Sequence, residues 1–354
     1  MIRFLVFALC CFFMVVNGMG VSYAAEPIKL KYSNYLPPTN PFAKLGEDFI
    51  KEIQKRTNDK VEIKYYPGGI LTAGPDVIGG IEHEVCDIGL SHVGYTRGRF
   101  PVTETLNLPF GYSSSYVGTQ VMNDFYERFR PKEWDSVHVL YHFAPGPQIL
   151  STKKRAVRKL EDIQGLKIRA SGRLADVVTN LGGTPVGISM GETYEGLQRG
   201  TIDGIVDARD PWRSFKLGEL VKYATQTYKI SMAYTFYVAM NKGKWNSLPD
   251  DIKKVFTEVA AEWKEKTGIV MNQVDNEGEE FFVKQGGEMI PLSEKEENRW
   301  VKAAEPVFEL HLKEMAAKGY KRSECEEWIS FIRERTAYWN KKEKDLKIPG
   351  ARLQ

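Results

Sequence analysis

The strongest constraint on the fold is an alternation of strand and helix that the chain runs through twice. Ile28, Leu30 and Tyr32 alternate with Lys29, Lys31 and Ser33, the two-residue period of a strand with one buried face. An amphipathic segment at 41–57 follows, with Phe42, Leu45, Phe49, Ile50 and Ile53 on one helical face. VEIKYYP (61–67) predicts a second strand, 75–83 a helix and 85–90 a third strand. That order is the pattern of an α/β layer with mostly parallel strands.

The pattern recurs downstream. GGIEHEVCDIGL (79–90) parallels YEGLQRGTIDGIV (194–206), each a helix end running into a strand that contains aspartate and glycine. Asp87 and Asp203 read as strand-start residues that bond nearby backbone amides. Two α/β lobes of similar design leave a cleft between them, and ligands of open α/β sheets sit outside the carboxyl ends of the strands. The C-terminal third differs. Helical spacing of Ile252, Val255, Phe256, Val259 and Trp263 follows Ser247-Leu248-Pro249. A capping box of Ser293 and Glu296 opens a helix holding Trp300, Val301, Val307 and Leu310, and a third helix covers 323–341.

Composition bounds the function. Arg3 followed by the apolar run 4–16, with Ser22 and Ala24 at the positions a signal peptidase prefers, reads as a signal peptide cut after Ala24 or Ala25. The formal net charge of +3 falls to +2 once Arg3 is gone, and no block of like charge implies nucleic acid or a membrane surface. No second stretch approaches membrane-spanning length. Beyond the signal only Cys86 and Cys325 remain, in an apolar strand and a glutamate-rich helix, which points to two buried or idle thiols rather than a bridge. There is no CxxC, and the five histidines lack metal-ligand spacing, so neither a metal nor a cofactor is expected.

The chemistry-bearing residues cluster after predicted strands. Arg169, in GLKIRASG (165–172), ends a strand facing the cleft, where its planar fork of donors suits a carboxylate. The strand pattern alone leaves a ligand clamp and a structural ion pair equally open, with Arg173 as an alternative. Asp207 ends the strand of TIDGIVD and either pairs with Arg209 or accepts from a ligand hydroxyl or ammonium. Asn34 and Tyr35, Tyr95 in HVGY, Phe143 and Gln148 in FAPGPQ, and Trp212 follow other strands and suit a partly polar, aromatic cleft lining. Gly187-Ile188-Ser189-Met190-Gly191 fits the GxSxG nucleophile elbow. Ser189 with Glu192 is also a capping box, and the only downstream histidine is His311 in a charged helix, so capping is the stronger reading and a secreted esterase the weaker.

GLKIRASG, GISMGETYEGLQRGTIDGIVDA, LNLPFGY and KWNSLPDDIKKVF, together after a signal peptide, resemble the solute-binding component of a TRAP transporter, of the DctP type, over residues 28–340. The resemblance implies a hinged, two-lobed periplasmic-binding-protein fold of type II-like design that closes on its ligand. It implies that Arg169 holds a small organic acid by a bidentate ion pair, and that the loaded, non-enzymatic receptor delivers to small and large membrane permease subunits driven by an ion gradient. A receptor for an ATP-driven importer is the alternative within binding proteins. The division expected is 26–148 with 235–280 as lobe 1, 149–234 with 281–320 as lobe 2, and 321–354 as a terminal helix and tail. Many relatives carry asparagine followed by proline where this chain has Asp207-Ala208, which argues mildly against a dicarboxylate unless Arg209 neutralises Asp207. Tyr35, Tyr95, Phe143, Trp212 and Tyr234 leave room for an aromatic acid, and a sulfonate is also a forked anion.

Overall fold

The computed structural model describes residues 26–350, so the signal-peptide segment lies outside the described residues. Two mixed sheets organise the chain. The first has the order β2 (Val61–Tyr66), β1 (Ile28–Asn34), β3 (Ile88–His92), β10 (Phe236–Asn241), β4 (Val137–Phe143). The second has the order β11 (Glu288–Ile290), β9 (Tyr223–Thr225), β5 (Ile149–Thr152), β8 (Gly204–Asp207), β6 (Lys167–Arg169), β7 (Thr184–Val186). Each sheet is parallel apart from one strand. β10 runs against β3 and β4, and β5 runs against β8 and β9.

The internal repeat is visible at the level of single hydrogen bonds. Asp87 Oδ2 accepts from the Lys31 amide of β1 at 2.7 Å, and Asp203 Oδ2 accepts from the Lys167 amide of β6 at 2.9 Å. In return the Asp87 and Asp203 amides donate to the Lys31 and Lys167 carbonyls. One device, an aspartate closing the start of a parallel strand pair, therefore serves both lobes.

Helices cover the sheets because their apolar faces match the strand faces. α1 (Pro41–Arg56), capped by Asn40 Oδ1 accepting from the Phe42 amide, buries Phe42, Leu45, Phe49 and Ile53 against the first sheet. α2 (Val77–Glu82) and α3 (Ser115–Phe129) complete that lobe. α4 (Arg173–Asn180), α5 (Met190–Arg199) and α6 (Asp210–Ser214) belong to the second. After α7 (Lys242–Ser247), the 35-residue α8 (Asp250–Lys284) packs against α1, α3 and α6, so one rod touches both lobes. The helix expected around Trp300 to Leu310 is two, α9 (Glu294–Ala304) and α10 (Pro306–Ala317), because Pro306 cannot donate within a continuing helix. α11 (Arg322–Asp345) lies across α3. Cys86 and Cys325 are both free and buried. Among the described residues no helix is long and apolar enough to cross a membrane.

Candidate functional site

The carboxyl ends of β1, β3, β6 and β8 meet between the lobes. Parallel pairing of β6 with β8 sets Arg169 beside Ile205, and antiparallel pairing of β5 with β8 sets Ile149 opposite Asp207. Arg169 is 1% exposed. Its Nη1 donates to Asp207 Oδ2 at 2.7 Å and its Nε donates to the Ile188 carbonyl at 3.2 Å, while Nη2 has no partner among the described residues. Asp207 Oδ1 accepts from the Ala208 amide at 2.9 Å.

Burial pushes the Asp207 carboxyl above the usual carboxylate range, with Arg169 pulling it back. Burial disfavours the Arg169 cation, but Tyr234, Asp207, Tyr95 and Tyr35 around it more than offset that. The guanidinium stays charged, and one of its arms faces no protein acceptor.

The other wall comes from the first lobe. His92, the last residue of β3, has its ring centre 3.9 Å from Tyr95, 4.5 Å from Tyr234 and 6.3 Å from Tyr35. Tyr35 and Tyr95 meet edge to face at 5.5 Å. Burial, then the charge of Arg169, hold the His92 imidazole well below its ordinary value, so it is neutral, and its Nδ1 has no hydrogen-bond partner among the described residues.

The lobes are shut on each other here. The Ser171 amide and hydroxyl both lie within hydrogen-bond reach of the Tyr234 hydroxyl, at 3.1 and 3.0 Å, and the Met190 amide donates to the Tyr95 hydroxyl at 3.1 Å. Gly172, at φ +55°, comes so close that a Cβ there would stand 3.0 Å from Gly94 Cα. A side chain at this point would hold the cleft ajar.

Of the residues singled out from the sequence, the structure gathers Arg169, Asp207, Tyr35, Tyr95 and Tyr234. Gln148 stands one residue before the Ile149–Asp207 pair. It is 1% exposed, and both polar atoms of its side chain are unpartnered. It borders a chamber of about 20 Å³ that also touches Val206 and Trp300. Asn34 serves its own lobe, with Oδ1 accepting from the Leu36 amide and Nδ2 donating to the Tyr65 hydroxyl. Phe143 packs between Phe42 and Phe236 in the first lobe's core.

Arg209 and Trp212 turn away. Of the two alternatives for Asp207, the pairing with Arg209 is not formed; its carboxylate pairs with Arg169. The Arg209 amide and Nε instead donate to Asp275 of α8 at 2.7 Å each, its Nη2 lies 2.6 Å from Asp275 Oδ2, and its Nη1 donates to Glu279. Trp212 packs on Phe282 and donates its indole N–H to Ser151 Oγ at 3.1 Å. Both follow β8 directly, but α6 begins at Asp210 and rotates them toward α8. Ser171 is not among the sequence candidates, and His92 enters only as the first residue of the HVGY stretch. The strand-end rule that found Asn34 also finds His92, which ends the neighbouring strand.

Ser189 is engaged by Glu192, which accepts from both its amide and its hydroxyl, and His311 bonds Thr105 at 2.9 Å. The nucleophile-elbow reading has no partner for its serine in that arrangement. A separate groove of 530 Å³ between α1, α6 and α8 has a rim of mixed charge, including Lys44, Asp48, Arg213 and Glu277, and contains none of the clamp residues.

Two hinged α/β lobes shut over a buried cation define a solute receptor. The model of the bacterial extracellular solute-binding proteins, family 7 (DctP), matches residues 32–316, and the chain belongs to that family, whose members are periplasmic substrate-binding receptors of TRAP transporters. A TRAP periplasmic solute-binding protein from Desulfovibrio salexigens is 32% identical, with a TM-score of 0.77 over 88% of this chain and 96% of that one. The C4-dicarboxylate-binding periplasmic protein of Rhodobacter capsulatus is 25% identical over 306 residues, 82% of this chain and 89% of the relative. The fold is also that of a TRAP solute-binding protein from Rhodoferax ferrireducens in complex with copurified benzoate, 22% identical, with a TM-score of 0.83 over 89% of this chain and 99% of that one.

Proposed function

We propose that the chain captures a small organic acid between its lobes, with Arg169 as the anchor, and hands it to a two-subunit membrane permease of the TRAP type. The observation that carries this reading is the unpartnered Nη2 of a guanidinium that is 1% exposed. A buried cation left with an open arm is costly. A carboxylate on that arm supplies charge-assisted hydrogen bonds of about 1.5–3 kcal/mol each. The second N–H of Nη1 allows the bidentate grip that carboxylates favour. The dicarboxylate relative and the benzoate-bound neighbour support an organic acid as the cargo. Tyr35, Tyr95, Tyr234 and Gln148 complete the proposed contact set.

The test is binding. Protein freed of copurified ligand is screened by thermal shift against carboxylates and sulfonates, and the hits are titrated by calorimetry against the wild type and Arg169→Met. The variant is expected to bind at least tenfold more weakly, about 1.4 kcal/mol, with an unchanged circular dichroism spectrum. Equal affinity removes Arg169 from the site.

A further inference from the structure

The groups that face the clamp can be counted by charge. From the second lobe come Arg169, Asp207 and Ser171, and from the first come His92, Tyr35 and Tyr95, with Tyr234 just before β10. Only Arg169 is cationic. The next arginines along the chain are committed elsewhere, Arg173 to Glu104 and Glu314, and Arg209 to Asp275 and Glu279. His92 is held neutral by burial and by the guanidinium beside it. The one cation is already matched by one protein carboxylate at 2.7 Å.

From this arrangement we infer that the cleft accepts acids bearing a single negative charge and turns away those bearing a second carboxylate, an inference that rests on the assignment of Arg169 as the anchor. The first guest carboxylate takes the open arm of Arg169 and leaves the clamp with one net negative charge. A second carboxylate meets no further cation among the described groups at the clamp and is repelled by Asp207. The polar atoms nearby are neutral: His92 Nδ1 is unpartnered among the described residues, the Tyr95 and Tyr234 hydroxyls accept from the Met190 and Ser171 amides, and the unpartnered Gln148 amide borders the chamber beside Val206. They suit a hydroxyl, a carbonyl or an amide on the guest, and the stacked rings suit a flat or apolar body. The dicarboxylate and benzoate relatives show that this fold serves guests of either charge, so the choice lies in the lining. Here the lining selects a monoacid.

A diacid can enter by carrying a proton on its second carboxyl. With the second carboxyl of a diacid titrating at about 4.5–5.5, that restricts it at about pH 7.5 by a factor of roughly 100–1,000. The penalty shrinks as pH falls, about tenfold per unit. Protonation of Asp207, whose carboxyl burial pushes up and which also feels Asp275, relieves it further.

The experiment separates charge from size by comparing each diacid with its own monoamide: succinate with succinamate, glutarate with glutaramate, and terephthalate with 4-carbamoylbenzoate. Calorimetry on the wild-type receptor at about pH 7.5 and about pH 5.5 is expected to give monoamides bound at least 100-fold more tightly than diacids at the higher pH, and a gap at least tenfold smaller at the lower. In Asp207→Asn the gap at the higher pH closes by at least tenfold, while the monoamides change by less. A diacid bound as tightly as its monoamide by the wild type overturns the charge rule and leaves Arg169 as anchor intact. If the wild type holds no acid of either charge at about 10 mM, the organic-acid reading itself falls, and the charge rule with it. The pH comparison uses the native chain, so the outcome stands even if Asp207→Asn does not fold.

Discussion

Among the described residues, the Arg209–Asp275 and Arg169–Asp207 pairs are both buried, and they differ in one respect. Arg209 is saturated: Asp275, Glu279 and the Tyr228 hydroxyl surround its guanidinium, and its own amide bonds the same aspartate. Arg169 has Asp207 on one nitrogen, a carbonyl on another and nothing from the described residues on the third. The first pair fastens the β8–α6 corner to the long helix. The second is incomplete in a way that a ligand completes. Burial and charge do not separate these two pairs, whereas the open Nη2 of Arg169 does.

The largest test of that contrast is stability. Arg209→Met strands Asp275 without a cation at a fully buried site, and the expected cost is about 3–5 kcal/mol, read from urea unfolding. Arg169→Met should cost at least about 2 kcal/mol less, because it leaves one carboxylate, Asp207, without its cation, whereas Arg209→Met leaves two, Asp275 and Glu279. Equal losses would erase the distinction.

A smaller effect sharpens it. Burial holds the imidazoles of His142 and His311 down to about 3, and His92 is lowered by burial and then by Arg169. Their folded pKa values lie below the unfolded value near 6.5, so the stability they contribute is complete above that pH and is lost as pH falls toward the folded values. By pH 5 each fully neutral histidine should cost about 2 kcal/mol. In Arg169→Met the burial of His92 remains, so the loss between about pH 6.5 and pH 5 is expected to stay as large; a smaller loss would mean that the cation of Arg169, and not burial, holds His92 neutral.

Local signals in the sequence revealed much of this fold. Alternation in IKLKYS, helical spacing from Pro41 onward and the Ser189–Glu192 box all appear where the residues imply them. So does the placement of Arg169 and Asp207 at strand ends, since a strand's carboxyl end follows from its own periodicity. Contacts between distant segments left no such mark. The insertion of β10 between β3 and β4 joins residues more than ninety apart. Arg209 looked like a cleft residue because it follows β8, and only the fold brings Asp275 and Glu279, one turn apart on α8, against it. Gln148 was visible as a loop residue, but its unpartnered amide appears only when its surroundings are packed.

The most direct test is a crystal structure of the receptor with its acid bound. A carboxylate within about 3 Å of Arg169 Nη2, enclosed by Tyr35, Tyr95, His92 and Tyr234, is the predicted result. An acid held instead in the groove between α1, α6 and α8, with Arg169 Nη2 still bare, would contradict the assignment.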